Sequence, residues 1–312
     1  MRKVFRANLY FLLILVLSII GPEFINPILI KMGVKDIRVV LEVNHILLFL
    51  VPAIIYIFVT KSSFKKTLRL NPLSINNIVL IIVLGIVIQP VMMFFSLITS
   101  FFFANDVSNF INTISSTPYI VMLLLIAVTP AITEEVTLRG VVLSGYDFKN
   151  KWVASITTGL LFGIFHLNGQ QFLYASILGI VLALLVRITN SIFAASLLHF
   201  MVNGLQVSFQ KFAVPVIVDS SDAADINTLS INEKIGLMTV YGMLAIIFGF
   251  LTIIIIRKIQ KNCRNNGIYD CYDSLSIEIE GALRAHVINE KVINVPLIAI
   301  IIVYLLYMLF IR

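Results

Sequence analysis

The sequence predicts an all-α fold, a polytopic bundle of about eight or nine transmembrane helices, and three observations carry that prediction. Of 312 residues 59% are hydrophobic and only 12% charged, about half the charged share of an ordinary soluble domain. The mean hydropathy of +1.01 points the same way. Finally, the stretch Leu70 to Asn105 contains no charged side chain, and Val107 to Thr133 and Ile235 to Ile256 are equally bare; each is long enough to cross a bilayer as a helix. Disorder, collagen and a disulfide-rich secreted scaffold are excluded.

Apolar stretches near twenty residues place helices at roughly 8–30, 40–60, 76–104, 118–145, 152–168, 171–187, 191–209, 235–256 and 292–311. The first begins with a basic, signal-like MRKVFRANLYFLLILVLSIIG, but no small-x-small cleavage site follows, so it is expected to stay as a membrane helix. The linkers are NDVSNFINTISSTP before the fourth helix, an acidic loop around Asp219, Asp222 and Asp225 after the seventh, and a polar segment from Arg257 to Lys291. The chain is expected to form one integral membrane domain over 1–312, with no internal repeat.

A net charge of +7 would suggest nucleic acid in a soluble protein. Here the basic residues cluster between apolar segments, so they set topology and no nucleic-acid partner is expected. Sixteen of the twenty-three Lys and Arg fall on one side of nine alternating helices, among them Arg2, Lys3, Arg6, Lys61, Lys65, Lys66, Arg69, Lys149, Lys151, Arg187 and Arg257. The excess marks the cytoplasmic face and puts the N-terminus inside. The two cysteines, Cys263 and Cys271, match neither C-x-x-C nor a zinc-finger spacing and read as incidental thiols.

Ionisable side chains within membrane helices are costly and point to function. Glu134, Glu135 and Arg139 lie in the fourth helix, His166 in the fifth, His199 and Asn203 in the seventh. At about 1.5 Å per residue, Glu134, His166, His199 and Asn203 share a depth of about 13 to 22 Å from their cytoplasmic helix ends. Spacing of four pairs Glu135 with Arg139 as an ion pair and places Asn203 on the face of His199. Pro130 has no N–H for the carbonyl of Ile126 and is expected to loosen the helix beside the acid. His45 is expected to be interfacial and without a partner, and Glu23 and Glu42 to lie outside the site.

A desolvated carboxylate beside two imidazoles suits activation of water, with an amide as oxyanion donor for peptide hydrolysis. The same Glu134, His166 and His199 can instead be a His₂Glu zinc set with one open position. The residue types leave zinc and a metal-free mechanism both open. Asn203 is an odd ligand, and zinc-bound histidines usually have an outer carboxylate partner; with Glu135 assigned to Arg139, the metal-free reading is favoured.

Glu134-Glu135-x-x-x-Arg139, Phe162-x-x-x-His166 and His199-x-x-x-Asn203, in that order on successive helices, resemble the motifs of the CPBP family. This group takes in type II CAAX prenyl endopeptidases and bacterial Abi and bacteriocin-processing membrane proteins. The resemblance covers roughly 118–210 and implies a four-helix catalytic core. It also implies an intramembrane protease in which Glu134, His166 and His199 work on a water molecule and Asn203 holds the oxyanion. The family goes under the name metalloprotease, and a metal-free glutamate mechanism is equally compatible with it. Glu135, Arg139 and Phe162 are expected to support these groups. The partners expected are membrane lipid and a peptide or protein substrate. A prenylated tail is the eukaryotic substrate; the Ile- and Asn-rich composition resembles an AT-rich prokaryote, which favours a peptide precursor and a bacterial plasma membrane. A non-enzymatic immunity or scaffold protein and a transporter are the alternatives, though no repeat of broken helices supports the latter.

Overall fold

A computed structural model describes residues 3–104, 116–212, 229–270 and 290–310. Among these, nine long helices occur, with one short extra turn: α1 (Lys3–Lys31), α2 (Ile37–Val59), α3 (Phe64–Thr67), α4 (Ile75–Ser100), α5 (Tyr119–Val142), α6 (Lys151–Phe165), α7 (Gly169–Thr189), α8 (Ile192–Phe212), α9 (Ile231–Asn265) and α10 (Val295–Phe310). Seven are long and apolar enough to cross a membrane, while α6 and α10 are shorter apolar helices. The chain is an integral, multi-pass membrane protein. Exposed Ile, Leu, Val and Phe cover the outer faces of α4, α9 and α10, as a surface bathed by lipid tails requires. The acidic loop with Asp219, Asp222 and Asp225, most of the linker before α5, Cys271 and much of the segment after Arg257 lie outside the described residues.

The helix ends follow local chemistry. Asp36 caps α2 through the N–H of Arg38, Asn150 caps α6 at Trp152, and Asn168 caps α7 at Gln171, each satisfying an N–H that the helix leaves unpaired. The Arg38 guanidinium holds the Asp36 carboxyl down at about 2. Asn190 ends α7 at φ 50°, a left-handed conformation that Asn tolerates well.

Position in the bundle is set by small and polar side chains. α7 packs on α6, α4, α8 and α9, and α5 lies between α2 and α8. The α6–α7 contact is unusually close. A Cβ on Gly163 would stand 2.6 Å from the carbonyl oxygen of Phe172, and one on Gly179 would stand 2.9 Å from Phe162 Cβ. Lipid gives helices little hydrophobic drive to associate, so such backbone approach and interhelical polar contacts hold the bundle.

Two of the arginines counted for topology are buried clamps. Arg187, 1% exposed, grips the Asp270 carboxylate with two bonds of 2.6 and 2.7 Å and also donates to the carbonyl oxygens of Tyr146 and Lys149. Arg69, held at φ 47°, donates to the Arg139 carbonyl oxygen at 3.0 Å and pairs with Asp147. Its own carbonyl accepts the N–H of Ile192. Full burial of a cation is tolerated only with such partners. Cys263 is buried and accepts a hydrogen bond from Asn77 Nδ2.

Candidate active site

The expectation of a single kinked helix over 118–145 is replaced by a more articulated one. α5 runs as α-helix to Leu123, winds as a π-helix over Leu124–Val128, returns to α over Thr129–Glu135 and widens again over Val136–Val142. Pro130 is the physical cause at the first change, since it cannot donate an N–H one α-turn back. The carbonyl oxygen of Ile126, which Pro130 leaves without its α-helical donor, accepts Nδ2 of Asn203 at 2.9 Å. Asn203 therefore bolts α8 to the loosened part of α5. The two glutamates occupy the short α-helical piece between the π segments, a local irregularity of the kind common at functional sites.

Glu134 and Glu135 diverge as neighbours on a helix must. Glu134 is 9% exposed, and its buried Oε2 has no protein hydrogen-bond partner. It stands 4.0 Å from His199 Nε2. Glu135 is fully buried, and its Oε1 accepts from Arg139 Nη1 at 3.0 Å and from His199 Nδ1 at 2.8 Å. The expected ion pair with Arg139 is present, and the same carboxylate also orients the catalytic candidate His199. The argument that no outer carboxylate remains for a histidine is thus corrected. Arg139 further donates to the Gly179 carbonyl oxygen and lies 4.3 Å over the Phe162 ring.

His166 ends α6 as its cap residue rather than lying inside the helix, and Leu167 follows at φ 48°. A left-handed leucine costs about 1–2 kcal/mol, strain that the hairpin holds directly beside a site residue. Phe162 does more than pack. Its carbonyl oxygen accepts His166 Nδ1 at 2.8 Å, and its ring meets both His166, at 4.7 Å, and His199, at 5.6 Å. A carbonyl only accepts, so Nδ1 of His166 carries the proton; Nδ1 of His199 likewise donates to a carboxylate. Both imidazoles then present Nε2 as an acceptor.

The structure adds residues that the sequence reading set aside. His45 is not without a partner: its Nδ1 donates to Thr133 Oγ1 at 3.3 Å, and its ring shares an electrostatic neighbourhood with His199 and His166. Glu42 Oε1 accepts from Thr129 Oγ1 at 2.7 Å, and Thr137 Oγ1 donates to the Phe49 carbonyl oxygen at 3.2 Å. Three threonines four residues apart on α5 therefore ride on α2 at 42, 45 and 49. The i, i+4, i+8 recurrence of Thr was the available signal. Tyr174 of α7 is an electrostatic neighbour of Glu134; nothing in its sequence context marks it. Glu23 is exposed and outside the site, as expected.

Among the described residues, no three His, Cys, Asp or Glu side chains are grouped so as to hold a metal ion. As placed, Glu134, His166 and His199 do not form the three-ligand set that zinc would require.

One comparison finds a likeness. Residues 116–205, which span α5 to most of α8 and contain all three motifs, match the family described as type II CAAX prenyl endopeptidase Rce1-like. That match covers 90 of the 312 residues, so it is a likeness of this segment. No curated protein and no solved structure matches the chain. The segment similar to that family holds Glu134, Glu135, Arg139, Phe162, His166, His199 and Asn203. α2, which brings His45 and Glu42, lies outside that segment.

Proposed function

We propose that the chain is an intramembrane endopeptidase in which Glu134 activates a water molecule for attack on a peptide carbonyl. The observation that carries this reading is the buried, unpartnered Glu134 Oε2 at 4.0 Å from the free Nε2 of His199. That separation is too long for a direct bond. It suits one water donating to both atoms, because two bonds of about 2.8 Å at about 90° span about 4 Å.

Glu134 removes a proton from this water as the oxygen forms its bond to the carbonyl carbon, and the C=O electron pair moves to the oxygen. The tetrahedral intermediate collapses when the C–N bond breaks and Glu134 returns the proton to the departing nitrogen. Asn203 has one amide N–H engaged by Ile126; its second N–H is the oxyanion donor in this scheme. Glu135 keeps His199 in the tautomer that offers Nε2 to the water, and Phe162 does the same for His166.

The mechanism we propose is glutamate-based and independent of metal, supported by the absence of a grouped ligand set among the described residues. The substrate is a peptide precursor or membrane-associated tail, the membrane a bacterial plasma membrane, and the N-terminus cytoplasmic. The test uses full-length protein in lipid nanodiscs with fluorogenic peptides, one with a farnesylated CAAX tail and one unprenylated. Cleavage by the parent and its loss in E134Q support the reading; cleavage undiminished in E134Q overturns it. Activity that survives exhaustive chelation supports the metal-free mechanism, and activity lost and restored only by zinc overturns it.

A further inference from the structure

The feature that the proposed mechanism does not use is the third imidazole. His45 comes from α2, outside the family's segment, at the point where α2 widens into a π-helix over Ile46–Leu50. Its protonation can be traced through neighbouring bonds. Thr133 Oγ1 gives its proton to the Thr129 carbonyl oxygen at 2.9 Å, so toward His45 it acts as acceptor and Nδ1 of His45 must be the donor. Nε2 is left as a lone-pair acceptor with no hydrogen bond among the described residues. The ring is fixed from both sides: Thr133 holds one edge, and the Phe49 ring stands edge-on at 5.1 Å. It is half-buried, adjoins exposed Ile46 and Leu47, and faces the electrostatic neighbourhood of His199 and His166. Thr133 directly precedes Glu134 in the chain, so the bond that fixes His45 is one residue from the proposed base.

An oriented acceptor with no partner, on the border between the site and lipid, suits a ligand that brings donors. A peptide entering from the bilayer does so, because each of its backbone N–H groups needs a partner once water is left behind. We infer that His45 is a substrate-contacting residue whose Nε2 accepts a backbone N–H of the peptide beside the bond attacked at Glu134. This deepens the protease reading and rests on it for the word substrate, while the contact itself is measurable as binding.

The two nitrogens can be separated by substitution. Asn reproduces the Nδ1 edge and keeps the Thr133 bond, whereas Gln places a carbonyl oxygen near the Nε2 position. The experiment measures anisotropy of a dye-labelled farnesylated CAAX peptide and its unprenylated twin on full-length E134Q protein in nanodiscs, alone and combined with H45N or H45Q. H45N is expected to weaken binding about tenfold, the loss of one hydrogen bond, and H45Q to recover most of it. A series of peptides N-methylated at single positions is expected to contain one that loses about tenfold on the His45 protein and nothing further on H45N. Binding unaffected by H45N overturns the inference, as does equal weakening by both variants without any N-methyl coupling, the signature of a structural role. Failure of either peptide to bind also overturns it. If the binding pattern holds while the protein with Glu134 intact cleaves neither peptide, the protease reading fails and the contact stands.

Discussion

α7 and α9 are alike as sequences and opposite in surroundings. Both meet the length and apolarity of a membrane span, yet 67% of the α7 span is buried among the described residues against 6% of the α9 span. Hydropathy reports only that neither helix faces water. What separates them is the polar and small minority. α7 carries Gln170, Ser176 and Gly179 in buried positions, where they meet α4, α5 and α6, and its buried Gly169 and Arg187 meet Phe103 and the Tyr146 and Lys149 carbonyls with Asp270. In α9 the buried residues are Thr252, Ile259 and Cys263. In lipid the interior is specified by residues that can be satisfied only by another helix.

The largest effect should come from the buried charge at the centre. E134Q in nanodiscs is expected to lower peptide cleavage by about 10²–10⁴-fold or more while circular dichroism and detergent thermal melts stay near those of the parent. A polar-to-apolar change on α9, such as T239V, should leave cleavage within about twofold; a comparable loss there would erase the contrast between the two regions.

Next in size is the ion pair that shares its carboxylate with His199. R139A leaves Glu135 charged, fully buried and short of its cation, which should cost about 3–5 kcal/mol of stability. Replacing both partners by apolar groups, as in E135L with R139M, should recover much of the fold in a thermal melt and none of the activity, because His199 Nδ1 loses its acceptor. Recovery of activity would show that Glu135 does not orient His199.

The same substitution should then change sign between the two helices. Gly179 on α7 would drive a new methyl into Phe162 and the Gly159 backbone at 2.9 Å, so G179A should destabilise by about 1–3 kcal/mol. Gly249 on α9 would meet only Val91 Cγ2, at 4.0 Å. G249A should therefore be neutral or gain up to about 1 kcal/mol from helix propensity. T129V, which removes the hydroxyl donor to Glu42, should cost about 1 kcal/mol in the same melt.

Much of this architecture was legible in the chain because membrane thickness and the cost of buried charge act on short stretches of sequence. Nine apolar helices, the Glu135–Arg139 pair four residues apart, and the proximity of Glu134 to His199 all follow from periodicity and depth. His45 escaped because its value depends on Thr133, 88 residues away, and no local pattern encodes a contact between α2 and α5. The consequence of Pro130 was foreseen only in part: the missing N–H was evident, but the donor that replaces it, Asn203, belongs to α8. The partners of Arg69 and Arg187 were hidden for a related reason. A basic residue at a helix end has one signature whether it meets solvent or a carboxylate brought from elsewhere.

Arg69 also links the order of synthesis to the moment of competence. When Arg69 is made, the carbonyl at 139 and the carboxylate at 147 that its guanidinium will meet are still 70 and 78 residues from synthesis. Its own carbonyl waits longer still, for the N–H of Ile192 at the start of the helix that carries His199. Until then the Arg69 end of the early helices lacks these three partners. The same later helices that supply those partners carry Glu134, His166 and His199. The last of the three Arg69 contacts therefore closes only with the start of the helix that carries His199.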